Sequence, residues 1–133
     1  MTIDIDSVCT EAQLREHLGG QTFDSLGLLP TGWASTEPAR QHALEKVLTA
    51  LRARTPPIRD TDLGDVTELR NAVLYGAKMH LYELAMTSAQ EGALFLEKWR
   101  MARSQFTDEL RALSPTLTDG LRGPAMSFSY ARR

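Results

Sequence analysis

Apolar residues recur at helical spacing along most of this chain, and the pattern changes to strict alternation at its end. Between Glu37 and Arg54, the residues Leu44, Val47, Leu48 and Leu51 fall on one face of a 3.6-residue period and predict an amphipathic helix. Thr36 suits its N-cap, and Pro38 sits in the first turn, where a missing N–H costs nothing. Thr55-Pro56-Pro57 stops it, and Pro57-Ile58-Arg59-Asp60 reads as an extended connector. A third helix starts at Asp65-Val66-Thr67-Glu68, a capping residue followed by an acidic first turn that favours the positive end of the helix dipole. Its stripe is Leu69, Val73, Ala77, Leu81 and Leu84, with Gly76 and Ala77 leaving room for a neighbouring helix. After a break near Ser88–Gly92, Phe95, Trp99, Ala102, Phe106, Leu110 and Leu113 give the cleanest stripe, a helix over about 93–113 that Pro115 ends.

The N-terminal region is less regular. Ile3, Ile5 and Val8 alternate weakly and predict a brief extended segment over residues 1–9. Thr10-Glu11-Ala12-Gln13 has capping-box spacing and starts a short helix to Leu18, which Gly19-Gly20 ends. Residues 20–35 form a loop whose Phe23, Leu26, Leu28, Leu29 and Trp33 are too apolar to stand in solvent; it packs over the core or awaits a neighbour. The expected architecture is mainly α. A short helix and packed loop occupy 1–35, a bundle of three to four helices 36–113, and a linker with an extended, strand-forming tail 114–133.

In that tail, Met126, Phe128 and Tyr130 point one way and Ser127 and Ser129 the other, the period of a strand with one buried face. A lone strand is not stable in water, and the rest of the sequence offers almost no second one. Three resolutions stand: the tail adds to a partner's sheet, it folds back on its own bundle, or it pairs with residues 2–5.

Charge sharpens the picture slightly. The net charge of −2 argues against a dedicated nucleic-acid binder. Residues 1–35 nevertheless carry Asp4, Asp6, Glu11, Glu16 and Asp24 against Arg15 alone, whereas residues 114–133 carry Arg122, Arg132 and Arg133 against Asp119. An acidic end and a basic end suit head-to-tail or partner contacts, and equally suit solvated termini. No stretch approaches the roughly 20 apolar residues that span a bilayer, so no membrane partner is expected. The start lacks a signal peptide's basic residues and apolar run. With one cysteine, Cys9, no internal disulfide can form, which fits a reducing cytoplasm.

Searches for chemistry return nothing. Phosphate-loop, dinucleotide, nucleophile-elbow and zincin motifs are missing from the sequence. His80 with Glu83 or Glu97 is a single carboxylate–histidine pairing, whereas a bundle metal site usually wants two. Asp108 and Glu109 are adjacent, hence about 100° apart on a helix, and make no dyad. Tyr75 and Tyr82 share one helix face and read as core or interface. Cys9 reads as a buried thiol or plain surface residue, without a neighbouring base to activate it. No catalytic residue, cofactor or metal is expected.

The stretches Pro56-Pro57-Ile58, Asp62-Leu63, Glu68-Leu69-Arg70-Asn71-Ala72-Val73-Leu74-Tyr75-Gly76-Ala77 and Leu81-Tyr82-Glu83-Leu84-Ala85, with the Trp99–Leu113 helix and its strand-like trailer, resemble the head–tail connector (adaptor) proteins of tailed bacteriophages. The resemblance covers roughly residues 37–133 and is one of layout and texture. It implies a structural virion protein of the neck region, assembled in the host cytoplasm as a ring, commonly of twelve copies, beneath the portal. Partners implied are the portal protein and a tail-side connector or tail-terminator protein, with DNA sliding through the lumen without specific binding. It implies that the C-terminal tail adds a strand to the portal, with Met126, Phe128 and Tyr130 as anchors and Arg132 and Arg133 beside them. The competing reading is a small cytosolic helical regulator that binds one protein partner through the same tail.

Overall fold

The computed structural model describes residues 3–19, 29–30, 32–88 and 92–120. Five helices run through them: α1 (Ile5–Val8), α2 (Glu11–Leu18), α3 (Glu37–Arg52), α4 (Arg70–Ser88) and α5 (Gly92–Ala112). Short 3₁₀ turns at Asp60–Asp62 and Val66–Leu69 join α3 to α4. The protein is a mainly helical bundle, as the periodicity predicts.

Helix α4 is its axis. Ala72, Val73, Leu74, Gly76, Ala77, Met79, Leu81 and Tyr82 are all buried, and at 100° per residue they cover the whole circumference of the helix. α3 and α5 pack along it, and α2 touches it from the N-terminal side. The predicted stripes are the faces that meet it: Leu44, Val47, Leu48 and Leu51 from α3, and Phe95, Ala102 and Phe106 from α5. Trp99, Leu110 and Leu113 are only partly buried at the edge of that core. The closest approach is at Gly76, where an added Cβ would lie 2.8 Å from the Phe106 ring and 3.0 Å from Ala43 Cβ. The small-residue gap in the sequence is therefore where three helices converge.

Several boundaries depart from expectation, each for a local reason. Within the segment expected to be extended, Ile5–Val8 is instead a helical turn capped by Asp4, whose carboxylate accepts from Asp6 N. Ile5 and Val8 are three apart, a spacing that serves one turn of helix as well as a weak alternation, and both are buried. α2 follows expectation, with Thr10 Oγ1 accepting from Gln13 N and Gln13 Oε1 accepting from Thr10 N. Thr36 does not cap α3. Its hydroxyl instead donates to the Glu11 carboxylate and accepts from Arg40 Nε at 3.0 Å, so it ties α2 to α3. α3 ends at Arg52 rather than Arg54, because Arg54 turns inward to the end of α5. Asp65 caps as expected, but its first turn is 3₁₀ before the α-helix begins at Arg70.

Three arginines, Arg40 and Arg54 buried and Arg70 half-buried, fasten the ends of helices. Arg40, 3% exposed, donates to the Cys9 carbonyl and the Asp6 carboxylate, each at 2.8 Å. Arg70 donates to the Val8 carbonyl at 2.9 Å, so the two arginines satisfy carbonyls that the end of α1 leaves open. Arg54 does the same for α5, donating to the carbonyls of Leu110 and Leu113.

Replacing Gly76 by valine should overpack this convergence and cost about 1–3 kcal/mol in urea denaturation. An unchanged midpoint would show slack between α4 and Phe106.

Candidate interaction surfaces

The residues expected to bind a partner, Met126, Phe128, Tyr130, Arg132 and Arg133, lie outside the described residues, as do Phe23, Leu26 and Leu28. What the structure does place is the point from which the tail departs. Beyond α5, Pro115 is fully buried and Thr116 bonds to both carboxylate oxygens of Glu68 through its backbone N–H (2.7 Å) and hydroxyl (3.1 Å). Leu117 makes an isolated antiparallel bridge with Leu63, with Gly64 N donating to Thr116 O and Thr118 N to Asp62 O, both at 2.8 Å. Gly64 has to be small here, since a Cβ would stand 2.7 Å from the Leu117 carbonyl oxygen. The linker is thus pinned to the bundle as far as Thr118. That bridge is the sole β pairing among the described residues, and no strand forms there.

Two surfaces near this departure point stand out. A shallow apolar groove of about 460 Å³ runs between α3 and α5, with Ala50, Ala53, Phe106 and Leu110 in its lining and His42 and Glu45 beside them. It is the place on this chain where an alternating apolar segment could lie at home. On another face of α5, Arg100, Arg103, Ser104, Thr107, Asp108 and Arg111 line a cleft of about 300 Å³. Arg103 lies over the Trp99 ring at 5.3 Å, and Arg100 pairs with Glu97 at 3.0 Å. The sequence held a signal for this second surface that the apolar stripe overshadowed: Arg100, Ser104, Thr107 and Arg111 recur at four, three and four.

The candidate chemistry resolves into packing. His80 is stacked face to face on His42, ring centroids 4.0 Å apart, and Trp33 lies on it at 6.5 Å. Glu83 reaches only to 4.0 Å from His80 Nδ1, and Glu97 is engaged with Arg100. Among the described residues no cluster of three ligand-type side chains could hold a metal ion. His17 meets Tyr75 edge-on at 4.9 Å, with Lys78 Nζ 5.0 Å from the Tyr75 ring centre. Tyr82 is buried against Phe95. Cys9 is fully buried, and burial pushes its thiol up to about 11 despite the pull of Arg40 and Arg70, so it stays protonated at neutral pH. Glu11 is held below the usual carboxylate range: burial raises it, but bonds from Thr36 and Arg15 outweigh that. No described helix is long and apolar enough to cross a membrane.

Burial lowers the pKa values of both His80 and His17, with His42 and then Lys46 adding to the effect at His80, against Glu83, and Lys78 at His17. The folded state resists protons that the unfolded chain takes up near its ordinary value of about 6.5. Stability from these groups is therefore complete above pH 6.5 and is lost as pH falls through the lowered folded values. Urea midpoints should drop between pH 7.5 and 5.5, above the carboxylate range, and the drop should shrink in the double variant His17→Phe, His80→Phe. A midpoint that rises on acidification would contradict this. Compared with known proteins, the chain matches no family model, no curated protein and no solved structure.

Proposed function

We propose that this chain is a head–tail connector (adaptor) of a tailed bacteriophage, a structural virion protein of the neck. In this reading the bundles form a ring under the portal, commonly of twelve copies, with a tail-side connector or tail-terminator protein on the other side. DNA passes through the lumen without specific binding, which suits a net charge of −2.

One observation carries the reading. The described core assembles from residues up to Leu117, and among the described residues its large apolar side chains are buried or partly buried, with Met101 alone exposed, while a further segment beyond Gly120 alternates Met126, Phe128 and Tyr130 with serines. A segment patterned as a strand, following a bundle that forms no strand among its described residues, matches the needs of strand addition. Main-chain hydrogen bonds give such a contact its affinity, and pockets for alternate side chains give it selectivity. Many tails in one ring would act together, so each contact can be weak. Pinning of Thr116 and Leu117 supports the reading further, because it launches every tail from the same place on its subunit.

Deleting Gly123–Arg133 should abolish capture by the portal protein of the same virus. It should leave helical circular dichroism unchanged and the melting temperature nearly so. A fall of more than about 4 °C, the shift that ~1 kcal/mol produces in a domain of this size, would place the tail in the chain's own core, with the groove between α3 and α5 as its seat. Undiminished capture would overturn the connector reading.

A further inference from the structure

We infer that the outer face of α5 is the surface on which a second copy of this chain docks its acidic N-terminal unit, so that neighbouring copies meet head to tail. This deepens the connector reading, on which it rests, by naming the contact between ring neighbours.

Arg100, Ser104, Thr107 and Arg111 lie within about 60° of one another on α5 and extend about 16 Å along it, with Arg103 on one flank. The face carries three guanidinium groups and two hydroxyls with Asp108 in its lining, and Glu97 beside it is paired with Arg100, which leaves a modest excess of positive charge. Beside it stands Met101, 66% exposed and the one large hydrophobic side chain so exposed among the described residues. Arginine and methionine are the residue types enriched where proteins meet, and lysine and glutamate are depleted there. Arg103, already flattened on Trp99, loses less freedom on docking than a mobile side chain would.

The complementary surface lies on the same chain. Asp4, Asp6, Glu11, Glu16 and Glu37 gather around α1, α2 and the start of α3. Arg40 and Arg15 balance part of that charge, but the Asp6 side chain remains 60% exposed even while paired with Arg40, and Asp4, Glu16 and Glu37 are exposed outright. The contact inferred is a heterologous one, the α5 face of each copy on the acidic face of the next, which closes into a ring or runs on as a filament. A protein partner is favoured over a nucleic acid because the patch contains Asp108 and adjoins an exposed methionine, and because the chain as a whole is acidic.

Charge exchange in the full chain tests this by sedimentation at low and high salt, with circular dichroism as the control for folding. The wild-type chain should self-associate at low salt, and added salt should weaken that association. Arg103→Glu with Arg111→Glu, or Glu16→Lys with Glu37→Lys, should each weaken it about tenfold or more. The two variants mixed together, or all four changes in one chain, should restore it. Deleting Gly123–Arg133 should leave self-association intact, which separates this contact from portal capture. A wild-type chain that stays monomeric at low salt, or a combination that assembles no better than either variant alone, would overturn the inference while leaving the tail's role standing. Binding of a mixed-sequence DNA duplex that Arg103→Glu with Arg111→Glu abolishes, alongside self-association unaffected by those changes, would overturn it in favour of a phosphate contact.

Discussion

The packing of α2, α3 and α5 on α4 is the constraint from which the architecture follows, with α1 held instead against α3 and the 3₁₀ turn at Val66–Leu69. A helix buried around its whole circumference needs neighbours on all sides, and α3, α5 and the N-terminal unit supply them. Gly76 sets how closely two of them approach, since Ala43 and Phe106 both crowd the position its missing side chain would occupy. Short elements that could not hold themselves are then fixed by long polar side chains. Arg40 and Arg70 close the end of α1, Arg54 closes the end of α5, and Glu68 holds Thr116. Each arginine offers several donors to carbonyls that would otherwise be buried unpaired.

Much of this could be read from the residues. The stripes on α3 and α5 were legible because one face of each meets the core and the other meets water, and a 3.6-residue period is the imprint of that asymmetry. α4 was harder. Its stripe of Leu69, Val73, Ala77 and Leu81 is real, but Ala72, Leu74, Met79 and Tyr82 are buried too, so periodicity understates how central it is. The Gly76-Ala77 gap gave the better hint. Thr10 and Asp65 cap as their spacing foretells, because the cap bond is local to three residues. Thr36 fails as a cap for a reason no local rule contains: its hydroxyl is claimed by Glu11, 25 positions earlier. Arg40 and Arg54 look like solvent-facing residues in the sequence, and their burial depends on contacts 31 and 56 positions away.

The interaction surfaces divide in the same way. An alternating segment announces itself through its own period, so Met126, Phe128 and Tyr130 stood out without a fold. Their pairing partner did not, because a strand's mate is never written in the strand. The arginine face of α5 is periodic as well, yet it gains weight only once Met101 is seen exposed beside it and Asp4, Glu16 and Glu37 are seen exposed on the same subunit. Together these features describe a helical body whose last described link to the chain's C-terminal linker is the bridge at Leu117, and on the proposed reading the tail beyond it serves contacts with other chains.

The proposed division between a helical body and a tail that completes itself on another protein is most directly probed by amide hydrogen exchange across residues 125–131, in the free chain and in its complex with a portal ring. The account predicts exchange at unprotected rates in the free chain and strong, alternating protection in the complex, as one edge of the ribbon joins a foreign ladder. Protection of those amides in the free chain, unchanged on adding the portal, would mean that the ribbon already has its mates within the subunit.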